Sequence, residues 1–149
     1  MPKPFRFATV KRVRELFEKK EQREFAAKRQ AVLALSARIE EFEARKTEVM
    51  RRVDQMRREC FTPQSDLLYV RYIRGLDDLK KELGKKREEA LARLEEQKTV
   101  MLKAMKDRKI MDVLLEKHDL DSRMEEYREE SKRLSETAIL RFGRIKQSP

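Results

Sequence analysis

Residues able to do covalent or acid–base chemistry are scarce in this chain. His118 is the only histidine and Cys60 the only cysteine. One histidine leaves no His-based proton relay and no His-rich metal set. One cysteine allows no disulfide within the chain, which fits a reducing compartment. His118 reads as a partly exposed helix residue. Cys60 reads as a small apolar residue at a helix end rather than a nucleophile. No glycine-rich, phosphate-cradling loop is present. Carboxylates are plentiful, but they recur four residues before a base: Glu15 with Lys19, Glu24 with Lys28, Glu41 with Arg45, Glu48 with Arg52, Glu82 with Lys86, Glu89 with Arg93, Glu129 with Arg133. Such pairs are neighbours on one helix face and support the helix. No catalytic, cofactor-binding or metal-binding residue is assigned, and the chain reads as a non-enzyme.

The other chemistry open to these residues is electrostatic. The formal net charge is +10, and charged residues make up 44% of the chain. Residues 1–60 hold 17 basic and 10 acidic side chains, whereas residues 61–149 hold 21 and 18. The excess therefore sits near the N-terminus, where an acidic partner surface would be attracted. Residues 1–14 contain five bases and no acid. This resembles a transit peptide, but it is poor in Ser and runs straight into a helical pattern. The basic clusters Lys19-Lys20, Arg51-Arg52, Lys85-Lys86-Arg87 and residues 106–109 are short and flanked by acids. No aromatic stacking platform accompanies them, so no nucleic-acid partner is expected. The longest apolar stretch is residues 31–35, so no membrane insertion is expected either.

Such residues must be carried by helices. There are 3 Gly, 4 Pro and no Trp among 149 residues, and aromatics are 7%. A β-rich domain of this size needs more turn residues, and Glu, Lys, Arg, Leu, Ala and Met are strong helix formers. Hydrophobic residues, at 39%, are too many for a disordered charged tail. One break interrupts the pattern, at residues 61–66. Thr62 is a good N-cap, Pro63 suits the first helical position, and Asp66 places negative charge in the first turn. The expected fold is all-α and a single domain over residues 1–149. It has a helix at about 5–60, a turn at 61–62, a helix at about 63–142 and a frayed tail at 143–149.

The first helix carries a 3-4 spacing: Val32, Leu35, Ile39, Phe42, Lys46, Val49, Val53, Met56, Cys60. Eight of these nine are apolar, which makes a coiled-coil seam. Upstream, Val10, Val13 and Phe17 join it through Glu21 and Phe25 by steps of four, a stutter. The second helix offers Tyr69, Tyr72, Leu76, Leu79, Leu83, Ala90, Leu94, Met101 and Met111, interrupted by Arg87, Gln97 and Arg108. A further seam runs Ile110, Val113, Lys117, Leu120, Met124, Tyr127, Ser131, Leu134, Ala138. A short turn between two periodic helices predicts an antiparallel coiled-coil hairpin. Partners whose numbers add to about 125 set Phe42 against Leu83, Val49 against Leu76, Leu35 against Ala90 and Val10 against Leu115. The helices would be roughly 85 and 120 Å long. The second would then overhang the first as an amphipathic C-terminal helix of some 20–25 residues.

The chain resembles the FliJ family of flagellar type III export proteins over nearly its whole length. The opening Phe7-x-x-Val10-x-x-Val13-Arg14-Glu15, the Glu/Gln/Ala-rich run to Ala27, and Tyr69-x-x-Tyr72-Ile73-x-x-Leu76 after the turn carry the likeness. So does the ending Glu130-x-x-x-Leu134-Ser135-Glu136-x-Ala138, where Ser135 replaces the usual Asp. The resemblance implies a stalk, similar to that of rotary ATPases, seated in the pore of a hexameric export ATPase. It also implies contacts with the export-gate membrane protein and with export chaperones. The implied location is cytoplasmic, peripherally associated with the export apparatus at the inner membrane, in the service of motility.

Two candidate surfaces follow. The basic N-terminus and the overhang would meet at one end of the hairpin. Lys11, Arg12, Arg14, Met124, Tyr127, Leu134 and Ala138 are the candidate ATPase contacts. The resemblance also implies a gate contact near the turn, at Phe42, Val49, Tyr72 and Leu76, all of which also fit a seam. Arg38, Arg45 and Leu83 occupy neighbouring positions but depart in type. The alternatives are an injectisome type III stalk and a freestanding helical chaperone or adaptor.

Overall fold

A computed structural model describes residues 3–59 and 62–147. Cys60 and Phe61, to which the sequence assigns the helix end and the turn, lie outside the described residues. Two helices make up the fold: α1, Ala8–Glu59, and α2, Pro63–Gln147. The start of α2 is built as its residues dictate. The Thr62 hydroxyl accepts a hydrogen bond from the Ser65 N–H at 3.3 Å, and the Thr62 carbonyl accepts one from the Asp66 N–H at 3.1 Å. Arg57, in the last turn of α1, donates through both Nε (3.1 Å) and Nη2 (2.6 Å) to Asp66 Oδ1 and closes the hairpin. At the far end α2 runs on to Gln147. Gly143 has no positive φ, and Arg144 and Lys146 complement the helix dipole in the last turn.

The chain forms two compact units. One comprises Lys19–Leu102, and the other the residues up to Glu18 with those from Lys103 onward. In the first unit the helices pair antiparallel through Lys46 with Asp77 (2.8 Å), Lys80 with Glu43, and Arg57 with Asp66. The numbers of each pair add to 123, two short of the expected register. Val32, Val53, Leu76 and Leu83 are buried between the helices, and Phe42 and Val49 are half-buried. Gln97 is a buried polar layer. Its amide donates to the Glu21 carbonyl and carboxylate, and its Oε1 accepts from Lys28 Nζ at 3.2 Å. Satisfied on every side, it fixes register at little cost in desolvation.

Here the seam of α2 departs from expectation. Leu76 and Leu83 stand on it, but Tyr72 and Leu79 point outward and are about half exposed. Ile73 and Lys80 face α1 in their place. Both choices alternate in threes and fours around Leu76. The frame through Ile73, Lys80 and Arg87 alone continues into Leu94 and Met101, so an unbroken helix adopts it. Lys80 fills its position by burying its stem and pairing with Glu43.

In the second unit the expected stutter is absent. Val10, Val13 and Phe17 are exposed, and Lys11, Arg14 and Glu18 face α2. Their polar ends are met across the hairpin. Lys11 pairs with Asp112 at 3.7 Å, Arg14 donates to the Asp107 carbonyl at 3.1 Å, and buried Glu18 pairs with Arg108. Paired charges tolerate this burial, so nothing forces α1 to leave its regular alternation. The Val10 to Leu115 contact is therefore not made through a buried Val10. The row from Ile110 through Leu120 faces away from α1, while Ala104 and Met111 are buried. His118 is half-buried under an edge-on Phe5 ring at 5.4 Å.

The cross-helix ion pairs give acid lability a definite sign. A hydrogen bond from Lys80 holds the Glu43 carboxyl below its ordinary value, and one from Lys46 does the same for Asp77. A carboxylate with a lowered folded pKa stabilises above the ordinary carboxylate range and loses that contribution as pH falls through the lowered value. Acidification below about pH 4 is therefore expected to lower the melting temperature. The loss should shrink in a Lys46→Met, Lys80→Met variant and in high salt, because these pairs are partly exposed. An unchanged acid slope in that variant would show that other groups govern it.

Candidate docking surfaces

The four turn-proximal candidates divide by exposure. Leu76 is 5% exposed and belongs to the seam, so a partner cannot reach it on the closed hairpin. Phe42 and Val49 are half-buried, and the Arg45 guanidinium lies 5.7 Å from the centre of the Phe42 ring. Tyr72 is 49% exposed. Leu68 and Leu79, which lie four before and seven after Tyr72, are also exposed and share its outward face. The sequence reading passed over Leu68 and placed Leu79 in the seam. The signal was there in the second 3-4 row running one residue behind the first.

The other unit carries the terminal candidates. Lys11 and Arg14 are half-buried and engaged with α2, so much of their charge is answered within the chain. Arg12 is exposed. No acidic residue lies in the first turn of α1, so the positive end of that helix adds to the local charge. Exposed Lys3 pairs with Glu125 at 3.5 Å. Residues 123–146 are all exposed, and Met124, Tyr127, Leu134 and Ala138 lie along them. From residue 126 to 147 the helix is about 33 Å long at 1.5 Å per residue. The outward row of α2 begins earlier, at a shallow groove lined by Lys106, Lys109, Ile110, Val113 and Leu114. Sequence reasoning placed this row against α1. Its 3-4 alternation marks a second apolar face on the helix.

Among the described residues no group of three His, Cys, Asp or Glu side chains could hold a metal, and no helix is long and apolar enough to cross a membrane. What the molecule offers is helix surface. It is a two-helix antiparallel coiled coil with a C-terminal helical extension. The chain belongs to the FliJ family: the family model described as "Flagellar FliJ protein" matches residues 2–147. No curated protein and no solved structure gives a match. Membership ties the chain to flagellar type III protein export.

Proposed function

We propose that this chain is the coiled-coil stalk of the flagellar export apparatus. It binds and activates the hexameric export ATPase, contacts the cytoplasmic part of the export gate, and assists export chaperones. It works in the cytoplasm, peripherally associated with the apparatus at the inner membrane. The observation that carries this reading is the terminal extension. An isolated helix in water gains little from an apolar stripe unless something covers it. Residues 123–146 hold such a stripe, and every one of them is exposed. A ring pore would cover it from all sides. On the gate side, Tyr72 with Leu68 and Leu79 is the accessible contact, and Leu76 acts by holding the helix that presents them.

The test is the ATPase rate of the purified ring with and without this chain. The chain is expected to have no turnover of its own and to raise that of the ring. Arg12→Glu should weaken stimulation more at low than at high salt, because exposed charge mainly steers encounter. Lys11→Glu and Arg14→Glu should also loosen the hairpin end, since both residues are used within the chain. Equal stimulation by the Arg12 variant at low salt would remove the basic end from the contact.

A further inference from the structure

Cross-helix ion pairs tie the two helices together near the turn, where Lys46 meets Asp77 and Arg57 meets Asp66, and near the N-terminus, where Lys11 meets Asp112. Among the described residues no ion pair engages Lys86, Arg87 or Arg93, in the middle of the paired length of α2. Arg87 is half-buried, and its Nε is buried with no hydrogen-bond partner. The reason lies in α1. Residues 25–39 contain no acid, the longest such run in the chain, yet they hold Lys28, Arg29 and Arg38. In the register of the ion pairs Arg87 stands opposite Ser36, which carries no charge to answer it. Beside it a groove opens between the helices. Ala31, Leu35 and Ala90 line it together with the cations Lys28, Lys86 and Arg93, and Glu89 is the one acid on its rim. Lys28 donates to the neutral Gln97 Oε1, a contact that leaves its charge uncompensated. Alanine on both helices lets a third helix approach closely.

We infer that this groove seats an acidic amphipathic helix of a partner protein. Its apolar row would pack on Ala31, Leu35 and Ala90, and its carboxylates would reach Lys28, Lys86 and Arg93. Charge complementarity selects the occupant. The facing stretch of α1 supplies no carboxylate, so the partner must bring the anions that answer these cations. The apolar floor favours a helix face over a dissolved anion, and the cations on both sides disfavour a basic helix. None of these residues belongs to the terminal extension or to the face of Leu68, Tyr72 and Leu79. The ring and gate contacts therefore stay available while the groove is filled.

The experiment is fluorescence anisotropy of the full chain with a labelled synthetic helix of about three heptads, Leu and Ala on one face and Glu on the other. Binding is expected, and it should weaken as salt rises. The same helix with Gln for Glu should bind about tenfold more weakly, and so should a shuffled sequence that has lost its apolar face. Lys86→Glu with Arg93→Glu should lower affinity about tenfold or more. Ala31→Arg is the sharper variant, because it adds a cation while filling the floor. A seat in the groove requires weaker binding from it, whereas attraction by net charge alone gives tighter binding. Ala31, Lys86 and Arg93 are exposed, so circular dichroism and melting should show the hairpin unchanged. Tyr72→Ala and a chain lacking residues 121–149 should bind as the parent does, which separates a failure here from a failure of the gate or ring contact. The inference is overturned by an absence of binding at about 1 mM peptide, by equal binding of the shuffled helix, or by tighter binding of the Ala31→Arg variant. Loss of binding in Tyr72→Ala would also overturn it, moving the helix to the outward face of α2.

Discussion

Removing residues 121–149 is expected to abolish stimulation of the export ATPase ring, and Tyr127→Ala with Leu134→Ala to come close to the same loss. Full burial of one such side chain contributes roughly 1.5–3 kcal/mol. Three or four of them stabilise a complex appreciably even after the ordering cost of association. A loss of that size separates a stimulated ring from an unstimulated one. The hairpin itself should hardly notice. Residues 123–146 are exposed, and the Lys3–Glu125 pair lost with them is an exposed ion pair of little worth. Helical signal should fall with the removed length, while the unfolding midpoint of the remainder stays put. If the shortened chain stimulates the ring at full strength, the ATPase contact lies elsewhere.

The second large effect is on stability, and it separates two residues in the same stretch of α2. Leu76→Ala is expected to destabilise the hairpin by about 2–5 kcal/mol, the range for truncating a buried leucine. Tyr72→Ala, on the outward face, should stay within about 0.5 kcal/mol. Urea unfolding of both variants measures the difference directly. Binding of the export gate should then behave in the opposite order. Tyr72→Ala should reduce it on a hairpin of parental stability, and Leu76→Ala should reduce it only as far as the hairpin opens. A strong gate defect in a fully folded Leu76→Ala protein would mean that the seam opens when the gate is bound.

The same pair shows where sequence reading stops. Tyr69, Leu76 and Leu83 are seam residues in either frame, so they were legible from spacing alone. Tyr72 or Ile73, and Leu79 or Lys80, complete the seam equally well over a single turn. By hydrophobicity Tyr72 and Leu79 are the better choice. The decision is made two and three heptads beyond Lys80, where Leu94 and Met101 lie on the Ile73 frame, and across the hairpin, where Glu43 receives Lys80. At the N-terminus the error has the same origin. Val10, Val13 and Phe17 look like a seam until Asp107, Arg108 and Asp112 on α2 are seen to answer Arg14, Glu18 and Lys11. The terminal extension was legible, because an overhang follows from unequal helix lengths. That Lys11 and Arg14 are engaged within the chain was not legible.

The sequence by itself determined that the chain is two long helices, that the second begins at Pro63, and that they pair antiparallel in a register within two residues of the observed one. These properties depend on caps, breaks and period, which are written locally. Only the tertiary structure decided which of two adjacent rows each helix turns inward. Rows one residue apart differ by about 100° of rotation. That choice rests on the sum of cross-helix partners along the packed length of the hairpin. It leaves polar residues buried in the seam at Glu18, Glu21 and Gln97, and it places Tyr72, Leu79 and the Ile110 row on the surface, where a partner can meet them.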